Sequence, residues 1–210
     1  MVPKPVLAVI FLYPISPVQE QHREQESSTA LSHELSTTQR KIPIWFTKQR
    51  IGNACGTIGI LHALANININ DGTTTTTTTT AVSNNTSLIQ RESWLNNFLY
   101  RRATWNTDPI VKAEMLESDD AIETLHDDAT QDEANATGRG EIEDRLLTHF
   151  IAFSNVDGML YELDGRKNGP ICHGETKQEQ LLEDSCRVIK RFMERDPEEL
   201  RFTILALAPK

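Results

Sequence analysis

The sequence predicts an α+β or three-layer domain, in which strands and helices are mixed without regular βαβ repetition. Apolar runs rich in β-branched and aromatic residues lie near both ends, at residues 6–13 and 201–207. Residues 149–166 contain two strand-like runs around a Val-Asp-Gly turn signal, which predicts a hairpin. Segments with helical spacing lie between these strands. The 210 residues are enough for one domain of fair size or two small ones.

The amino-terminal segment MVPKPVLAVIFLYPISP is superficially similar to a secretory signal peptide. Its apolar run covers only 8 residues, prolines flank it, and no small-residue cleavage site follows. We therefore expect a buried strand. No segment of the sequence is long enough to span a membrane. The polar residues 19–41 predict a surface excursion, and residues 42–48 predict a short strand or an extended lead-in.

The stretch QRIGNACGTIGILHALAN places Cys55 where a loop of small residues meets a run with helical spacing. At a helix amino terminus, unpaired backbone N–H groups and the macrodipole favour an anion, so a thiol there loses its proton more easily. A buried structural cysteine is the alternative, and this segment alone leaves both interpretations open. His62 falls within the same helix and is expected to be packed or half exposed.

Residues 67–86 are a low-complexity insertion with eight consecutive threonines and no apolar periodicity. Helical spacing returns at residues 88–99, and Asp108 followed by Pro109 predicts the start of another helix. Residues 118–144 predict a long acidic loop within a region, 108–145, that holds 13 acidic and 3 basic residues. This region is a solvated loop or an acidic rim that attracts a basic partner, and either disfavours nucleic acid.

A His–carboxylate pair is predicted within the hairpin. If Asn155 and Gly158 flank its turn, His149 and Asp164 lie opposite each other on one face, with Cβ atoms about 5 Å apart. At that separation a carboxylate can orient an imidazole. A surface cross-strand pair is the alternative, and a register shift or a bulge would change the pairing.

The last third of the chain predicts a helix and a closing strand. The pattern Thr176-x-x-Glu179 resembles a capping box before apolar residues with helical spacing, and Cys186 is expected to pack within that helix. His173 is expected to have a loop role. Three cysteines are too few for a disulfide scaffold, so a reducing compartment is favoured. No spacing typical of metal ligands is present, and we expect neither a metal nor a cofactor.

A cysteine at a helix start and a His–Asp pair are the components of a cysteine hydrolase. His149 would accept the thiol proton and later donate one to the leaving amine, while Asp164 would hold the ring in position. The backbone N–H of Cys55 is one natural donor to an oxyanion. The side-chain amide of Gln49 is a candidate for the second, although by itself Gln49 has the features of an ordinary surface residue.

Three long segments carry a resemblance to a known family: QRIGNACGTIGILHALAN, HFIAFSNVDGMLYELDGRKNGPICHGE and LLEDSCRVIKRFMERDPEELRF. Together with VPKPVLAVIFLYPI, they resemble the ubiquitin carboxyl-terminal hydrolases (peptidase family C12), above all the small isozymes that consist of the catalytic domain alone. The resemblance implies one catalytic domain over residues 1–210. It also implies Cys55 as nucleophile, His149 as proton donor and acceptor, Asp164 as the orienting carboxylate and Gln49 as oxyanion stabiliser.

The resemblance further implies a papain-like fold with a mainly antiparallel central sheet and helices on both sides. It implies a thiol-dependent deubiquitinating hydrolase that works through an acyl-enzyme. The expected substrate is ubiquitin, or a ubiquitin-like protein, with a small or unfolded group on its C-terminal glycine. The expected protein is a monomer of the cytoplasm, and also of the nucleus, with neither nucleic acid nor a membrane as partner.

A loop crosses the active site in this family, and residues 118–144 occupy its place. If residues 121–141 were fully extended, their contour would be about 70 Å, which closes a ring roughly 22 Å across. A small folded domain is about 30 Å wide. The loop is therefore expected to admit a peptide tail but not a folded protein, and its acidic excess suits a basic partner.

Family members usually carry a further segment before the strand at residues 6–13, including part of the ubiquitin-contact surface. This sequence starts almost at that strand, so the family's knotted chain path is not predicted here. Two hypotheses follow. The chain is a working hydrolase, or it is a catalytically weak ubiquitin-binding remnant of the family.

Overall fold

The computed structural model describes residues 2–34, 43–67, 89–90, 92–101, 104–122, 124 and 147–209. Residues 68–86 of the predicted Thr-rich insertion lie outside the described residues, as do residues 123 and 125–144 of the acidic loop predicted at 118–144. The loop prediction is wrong at its start, because residues 120–122 and 124 are helical. The described strands are β1 (Ala8–Pro14), β2 (Thr148–Val156), β3 (Met159–Leu163), β4 (Ile171–Glu175) and β5 (Thr203–Leu207). The described helices are α1 (Pro17–Glu34), α2 (Cys55–Ala65), α3 (Trp94–Asn96), α4 (Pro109–Glu117) and α5 (Leu181–Arg195). Shorter helical turns cover Asn97–Arg101, Thr104–Asn106 and Gln178–Gln180.

The strands form one antiparallel sheet in the order β4-β3-β2-β1-β5. Strand β1 lies between strands from the last third of the chain, because Val9 pairs with Phe153 on one side and with Ala206 on the other. This sheet confirms the predicted α+β class and the antiparallel pairing.

Helices pack on both faces of the sheet because successive residues of a strand point to opposite sides. On one face, Phe11 and Phe153 pack with Ile189 and Phe192 of α5. The opposite face carries small side chains such as Ala152, which packs in one cluster with α2 and the segment before it. The predicted arrangement of helices on both sides is confirmed.

The α2 helix lies close to β2 because it has glycines on the side that faces the strand. A Cβ atom built on Gly56 or Gly59 would lie 3.6–3.7 Å from Phe150. Both distances are ordinary van der Waals contacts, so these positions would admit an alanine, whereas a larger side chain would have to displace Phe150. This packing brings the amino terminus of α2 beside the first residues of β2.

The register of the hairpin differs from the predicted one by two residues. Val156 and Met159 flank the turn, and Ala152 pairs with Leu163. The turn residues Asp157 and Gly158 have φ values of 53° and 77°, which suits a two-residue turn of the primed type. A shift of two residues keeps each side chain on its original face, whereas a shift of one would have moved it to the other.

The surface excursion predicted at residues 19–41 is wrong for residues 19–34, which belong to helix α1, and residues 35–41 lie outside the described residues. The helix begins at Pro17, and the backbone N–H of Glu20 donates to the carbonyl of Ser16 at 2.9 Å. It is held to the body by polar contacts rather than by an apolar stripe: Gln19 Nε2 donates to the carbonyl of Phe192 at 2.6 Å, and Arg166 forms an ion pair with Glu20. Hydrophobic periodicity therefore gave no signal for it.

The other helix starts show one wrong and one correct prediction. The capping box at Thr176-x-x-Glu179 is wrong, because α5 begins at Leu181 and Thr176 instead donates its hydroxyl to Asp184 Oδ2. The helix start at Asp108 is confirmed, since Asp108 Oδ1 accepts the backbone N–H of Ile110 at 2.8 Å. Residues 43–50, before the cysteine helix, form neither a strand nor a helix, so a short strand at residues 42–48 is not found among those described.

Candidate active site

Cys55 is the first residue of α2 and is 6% exposed. A turn at Gly52 and Asn53, with Asn53 at φ 57°, delivers the chain to the helix. Ala54 occupies the N-cap and offers no side-chain cap. The sulfur is instead the acceptor for backbone N–H groups of Gly56 and Phe150. The close packing of α2 against β2 is what supplies the donor from the strand.

His149, on β2, and Asp164, the residue after β3, form a buried pair. His149 Nε2 lies 2.7 Å from Asp164 Oδ1, and neither side chain is more than 2% exposed. The imidazole also hydrogen-bonds the Cys55 thiol. The ring of Tyr13 lies edge-on to His149 at 5.7 Å between centroids. The structure thus brings Cys55, His149 and Asp164 into one chain of contacts, although His149 and Asp164 are diagonal neighbours rather than directly opposite.

The electrostatics of these contacts favour a charged pair. Burial by itself would lower the pKa of His149, but the charge and hydrogen bond of Asp164, together with the Cys55 thiol, raise that pKa to about 9. Burial would raise the pKa of Cys55, yet the hydrogen bonds from His149 and from Phe150 N–H bring it below its ordinary value. Burial also opposes ionisation of Asp164, but His149 holds the pKa of that carboxyl well below its usual range. An imidazolium beside a thiolate is the state that these shifts favour.

Gln49 lies next to the same turn. Its backbone N–H donates to the carbonyl of Gly165 at 2.9 Å, one residue after Asp164. Its side-chain Nε2 donates to the carbonyl of Ile51 at 3.3 Å, and its Oε1 is buried with no partner among the described residues. The structure therefore places Gln49 at the site but with its amide donor engaged by its own loop.

A buried ionic network beside the turn was not predicted from the sequence. Glu162, fully buried on β3, accepts from Lys167 Nζ at 2.5 Å and from His173 Nε2 at 2.8 Å. Lys167 also contacts Glu26 of α1 at 2.7 Å. His173 lies on β4 rather than in a loop. The signal in the sequence was weak, because charges far apart in the chain have no periodicity that reveals their pairing.

His62 confirms its predicted packed position. It is fully buried, stacks on Phe46 with 5.0 Å between ring centroids, and accepts the backbone N–H of Thr47 at 3.1 Å. Within the described ranges, no three His, Cys, Asp or Glu side chains are grouped so as to hold a metal ion. In the same part of the chain, no helix has the length and apolar character needed to cross a membrane.

With this geometry established, comparisons with known proteins identify the family. The model of the family "Ubiquitin carboxyl-terminal hydrolase, family 1" matches residues 1–194. This chain belongs to that family. Ubiquitin carboxyl-terminal hydrolase 3 of Arabidopsis thaliana is 40% identical over 214 residues, which cover all of this chain and 78% of the relative. The human ubiquitin carboxyl-terminal hydrolase isozyme L1 is 34% identical over 210 residues, which cover 98% of this chain and 80% of that protein.

Solved structures confirm the fold of a ubiquitin carboxyl-terminal hydrolase. The catalytic domain of Trichinella spiralis UCH37, bound to ubiquitin vinyl methyl ester, aligns with a TM-score of 0.62 at 18% identity, over 97% of this chain and 76% of that one. A longer UCH37 chain with the same ligand aligns with a TM-score of 0.60 at 20% identity. That alignment covers 97% of this chain but 64% of the longer one.

Proposed function

We propose that this chain is a thiol-dependent deubiquitinating hydrolase that releases small or unfolded adducts from the C-terminal glycine of ubiquitin. Membership of the family and the names of the two relatives support this activity. The related UCH37 structures hold ubiquitin vinyl methyl ester, which supports ubiquitin as the partner. The single observation that carries the catalytic assignment is the position of His149, which contacts Asp164 at 2.7 Å and also hydrogen-bonds the thiol of Cys55.

In the first half of the proposed reaction, the Cys55 thiolate attacks the carbonyl carbon of the C-terminal glycine of ubiquitin. The carbonyl electron pair moves onto oxygen, and a tetrahedral oxyanion forms. When this intermediate collapses, the bond to the leaving nitrogen breaks and the His149 imidazolium donates its proton to the amine. A thioester between ubiquitin and Cys55 remains.

In the second half, water attacks the thioester carbonyl while neutral His149 accepts a proton from it. The carbon–sulfur bond then breaks, which restores the thiolate beside an imidazolium and releases ubiquitin with a free carboxyl group, which loses its proton to solvent. Asp164 orients the ring and stabilises its charged form throughout. We propose that Gln49 exchanges the carbonyl of Ile51 for the oxyanion, because its Nε2 bond to Ile51 is long at 3.3 Å and that exchange leaves the amide donor free.

The remaining parts of the proposal concern the whole chain. We propose a single catalytic domain over residues 1–210, whose acidic segment at 118–144 crosses the site and limits the size of the adduct. We also propose a monomer of the cytoplasm and nucleus, and the three free thiols, Cys55, Cys172 and Cys186, suit such a reducing compartment.

The test is release of a fluorophore from the C-terminus of ubiquitin by the 210-residue chain. Cys55→Ala is expected to abolish turnover. Cys172→Ser is the matched control, because Cys172 is an exposed free thiol on β4, and its variant is expected to keep wild-type turnover. A folded chain that binds ubiquitin without Cys55-dependent turnover would contradict the hydrolase assignment and support the binding remnant instead.

A further inference from the structure

The buried ionic network around Lys167 has no role in the reaction described above. Lys167 is 1% exposed, and its ammonium group lies between two carboxylates, Glu162 Oε1 at 2.5 Å and Glu26 Oε2 at 2.7 Å. Burial of an unpaired ammonium is costly, so a lysine is retained at such a place only with close opposite charges. Arg195 of α5 completes the network through Glu26 at 2.8 Å. The network therefore joins β3, α1 and α5 at one lysine.

The backbone of Lys167 closes the turn that carries the candidate catalytic carboxylate. Its N–H donates to the carbonyl of Asp164 at 2.9 Å, and its own carbonyl accepts from Lys48 Nζ at 2.6 Å. Both ends of the residue are thus fixed, the side chain by carboxylates and the backbone by the turn. Loss of the contacts between the Lys167 ammonium and its carboxylates is therefore expected to shift the turn, because the same residue makes both sets of contacts.

The turn at residues 164–167 supplies a second hydrogen bond to the Asp164 carboxylate. Asp164 Oδ1 accepts from the backbone N–H of Arg166 at 2.9 Å as well as from His149. The carbonyl of Gly165, in the same turn, accepts the backbone N–H of Gln49. The geometry of residues 164–167 therefore sets the direction of the Asp164 carboxylate and the position of the segment that carries Gln49.

From these contacts we propose that Lys167 is a positioning residue for catalysis, which holds the turn at residues 164–167 so that Asp164 orients His149. The proposal rests on the proposed function. Lys167 touches neither the thiol nor His149 in any described contact, and it acts through the turn. Its positive charge also contributes to the low pKa of Asp164, after the larger effect of His149.

A positioning role and a purely electrostatic role of Lys167 predict opposite changes in the pKa of His149 when the lysine is replaced. Among the described residues, Asp164 and Cys55 have the largest electrostatic effects on His149, and the ring of Tyr13 packs edge-on against it. The titratable or charged groups that interact with Asp164 are His149, Lys167, Tyr13, Arg23, Lys48 and His62. If only charge mattered, removal of the Lys167 charge would leave the pKa of His149 unchanged or higher. If the turn loosens, the His149–Asp164 contact weakens and that pKa falls.

The experiment compares Lys167→Met with wild type in the ubiquitin–fluorophore assay over a range of pH. We expect kcat to fall by about 10-fold to 100-fold with little change in KM, because misplacement of a catalytic group by about 1 Å can cost up to about 100-fold. We expect the alkaline limb of the pH profile to move down by about one unit. Lys167→Arg keeps the charge and the donors and is expected to restore activity to within about threefold. Lys4→Met removes an exposed lysine and is the control.

A second measurement does not depend on hydrolysis of ubiquitin. The rate of alkylation of Cys55 by iodoacetamide, followed against pH by peptide mass spectrometry, reports the thiolate that His149 stabilises. In Lys167→Met, we expect the midpoint of this rate to shift upwards, whereas Lys4→Met leaves it where it is in the wild type. If Lys167→Met does not fold, Lys167→Gln together with Glu162→Gln removes the buried charge pair and is measured instead.

The outcomes separate the two proposals. An inactive wild type with an unreactive Cys55 would contradict the proposed function. An active wild type together with an active, folded Lys167→Met variant whose pH profiles are unchanged would overturn the positioning role. Two further results would also overturn it: a change confined to KM, or recovery of wild-type kcat when Glu162→Gln is added to Lys167→Met. The second result would assign the loss to a buried Glu162 carboxylate that has lost its lysine partner and retains only His173.

Discussion

Gly165 lies directly against Gln49, so the turn that carries Asp164 and the segment that leads to Cys55 touch through backbone atoms. The carbonyl of Gly165 accepts the N–H of Gln49 at 2.9 Å. A Cβ atom at position 165 would lie 3.0 Å from Gln49 Cβ and 3.1 Å from Gln49 N. Distances this short mean that any other residue would have to displace Gln49 by a few tenths of an ångström, so the two parts of the candidate site are closely fitted to each other.

Gly165→Ala is therefore expected to damage both stability and turnover. The added methyl group would also lie 3.0 Å from Ile58 Cγ2, and Gln49 backbone cannot move away cheaply. We expect a loss of about 1–3 kcal/mol in the free energy of unfolding, which is the usual effect of overpacking, and a larger fractional loss in kcat. Gly52→Ala is the control, because nothing lies within 4 Å of a Cβ at that position. Equal effects of the two substitutions in denaturant unfolding would show that the close approach is unimportant.

The pH dependence of catalysis is expected to follow the thiolate–imidazolium pair. Because the pKa of His149 is raised to about 9, the imidazolium persists through neutral pH and is lost as pH rises through about 9. Because the pKa of Cys55 is lowered, the thiolate persists to lower pH than an ordinary thiol. We expect a bell-shaped profile of kcat/KM with its alkaline limb near pH 9.

In His149→Asn, the Cys55 thiol loses its principal favourable contact while its burial remains. We expect the midpoint of its alkylation by iodoacetamide to rise to that of an ordinary thiol or above. Asp164→Asn is expected to shift it in the same direction by a smaller amount, since the imidazole is still present but less well oriented. A midpoint that does not move in His149→Asn would show that the helix terminus alone activates the thiol.

Acid stability is expected to depend on His62. Burial lowers the pKa of His62 to about 4, against partial compensation by Asp164 and Thr47. Because its pKa is lower in the folded protein than in the unfolded chain, His62 binds a proton more readily when the protein is unfolded. Protonation therefore favours unfolding, and the free energy of unfolding decreases as pH falls from 6.5 towards 4. The shift corresponds to at most about 3 kcal/mol of unfolding free energy.

The window between pH 6.5 and 4 isolates His62 from the other buried groups. Depressed carboxyls such as Asp164 lose their contribution only below their unfolded pKa near 4, and His149 is protonated in both states below 6.5. The measurement is urea unfolding at several pH values for wild type and His62→Gln. The variant is expected to show a shallower decline in this window, and an unchanged slope would assign the decline elsewhere.

Helix α1 is expected to depend on its ion pairs with the rest of the protein. Glu20 forms a two-point contact with Arg166, with distances of 2.9 and 2.6 Å, and it also contacts Arg23. In Glu20→Gln, we expect faster hydrogen exchange over residues 17–28 and about 1–2 kcal/mol less protection, as for loss of a hydrogen-bonded charge. Glu24→Gln is the control on the same helix, since the Glu24 side chain is 73% exposed. Similar exchange in both variants would argue that Glu20 does not anchor the helix.

The sequence predicted those elements of the site that depend on short-range patterns, such as helix starts and tight turns. Small residues before an apolar run placed Cys55 at a helix start, and the Asp-Gly turn signal predicted the hairpin that carries His149. The predicted register was wrong by two residues, yet His149 and Asp164 still meet. They do so because an even shift preserves the face of the sheet, and because the imidazole spans the diagonal.

What the sequence could not predict depends on contacts between distant charges. Helix α1 has no apolar stripe, and Glu20, Glu26 and Gln19 fix it through partners that follow more than 140 residues later. The pairing of Glu162 with Lys167 and His173 is likewise specified only in three dimensions. Hydrophobic periodicity reveals neither, because it reports which side of an element faces the core and not which charges meet there.

The position of β1 in the middle of the sheet has a consequence for the synthesis of the protein. Val9 of β1 pairs with Phe153 of β2 and Ala206 of β5, so β1 leaves the ribosome long before either neighbouring strand has been synthesised. His149 and Asp164 also emerge about a hundred residues after Cys55. A nascent chain therefore carries an unactivated thiol and an unpaired apolar strand until nearly all of its sequence has been translated. The catalytic groups can therefore meet only after the carboxyl-terminal third of the chain has been made and has paired with its first strand.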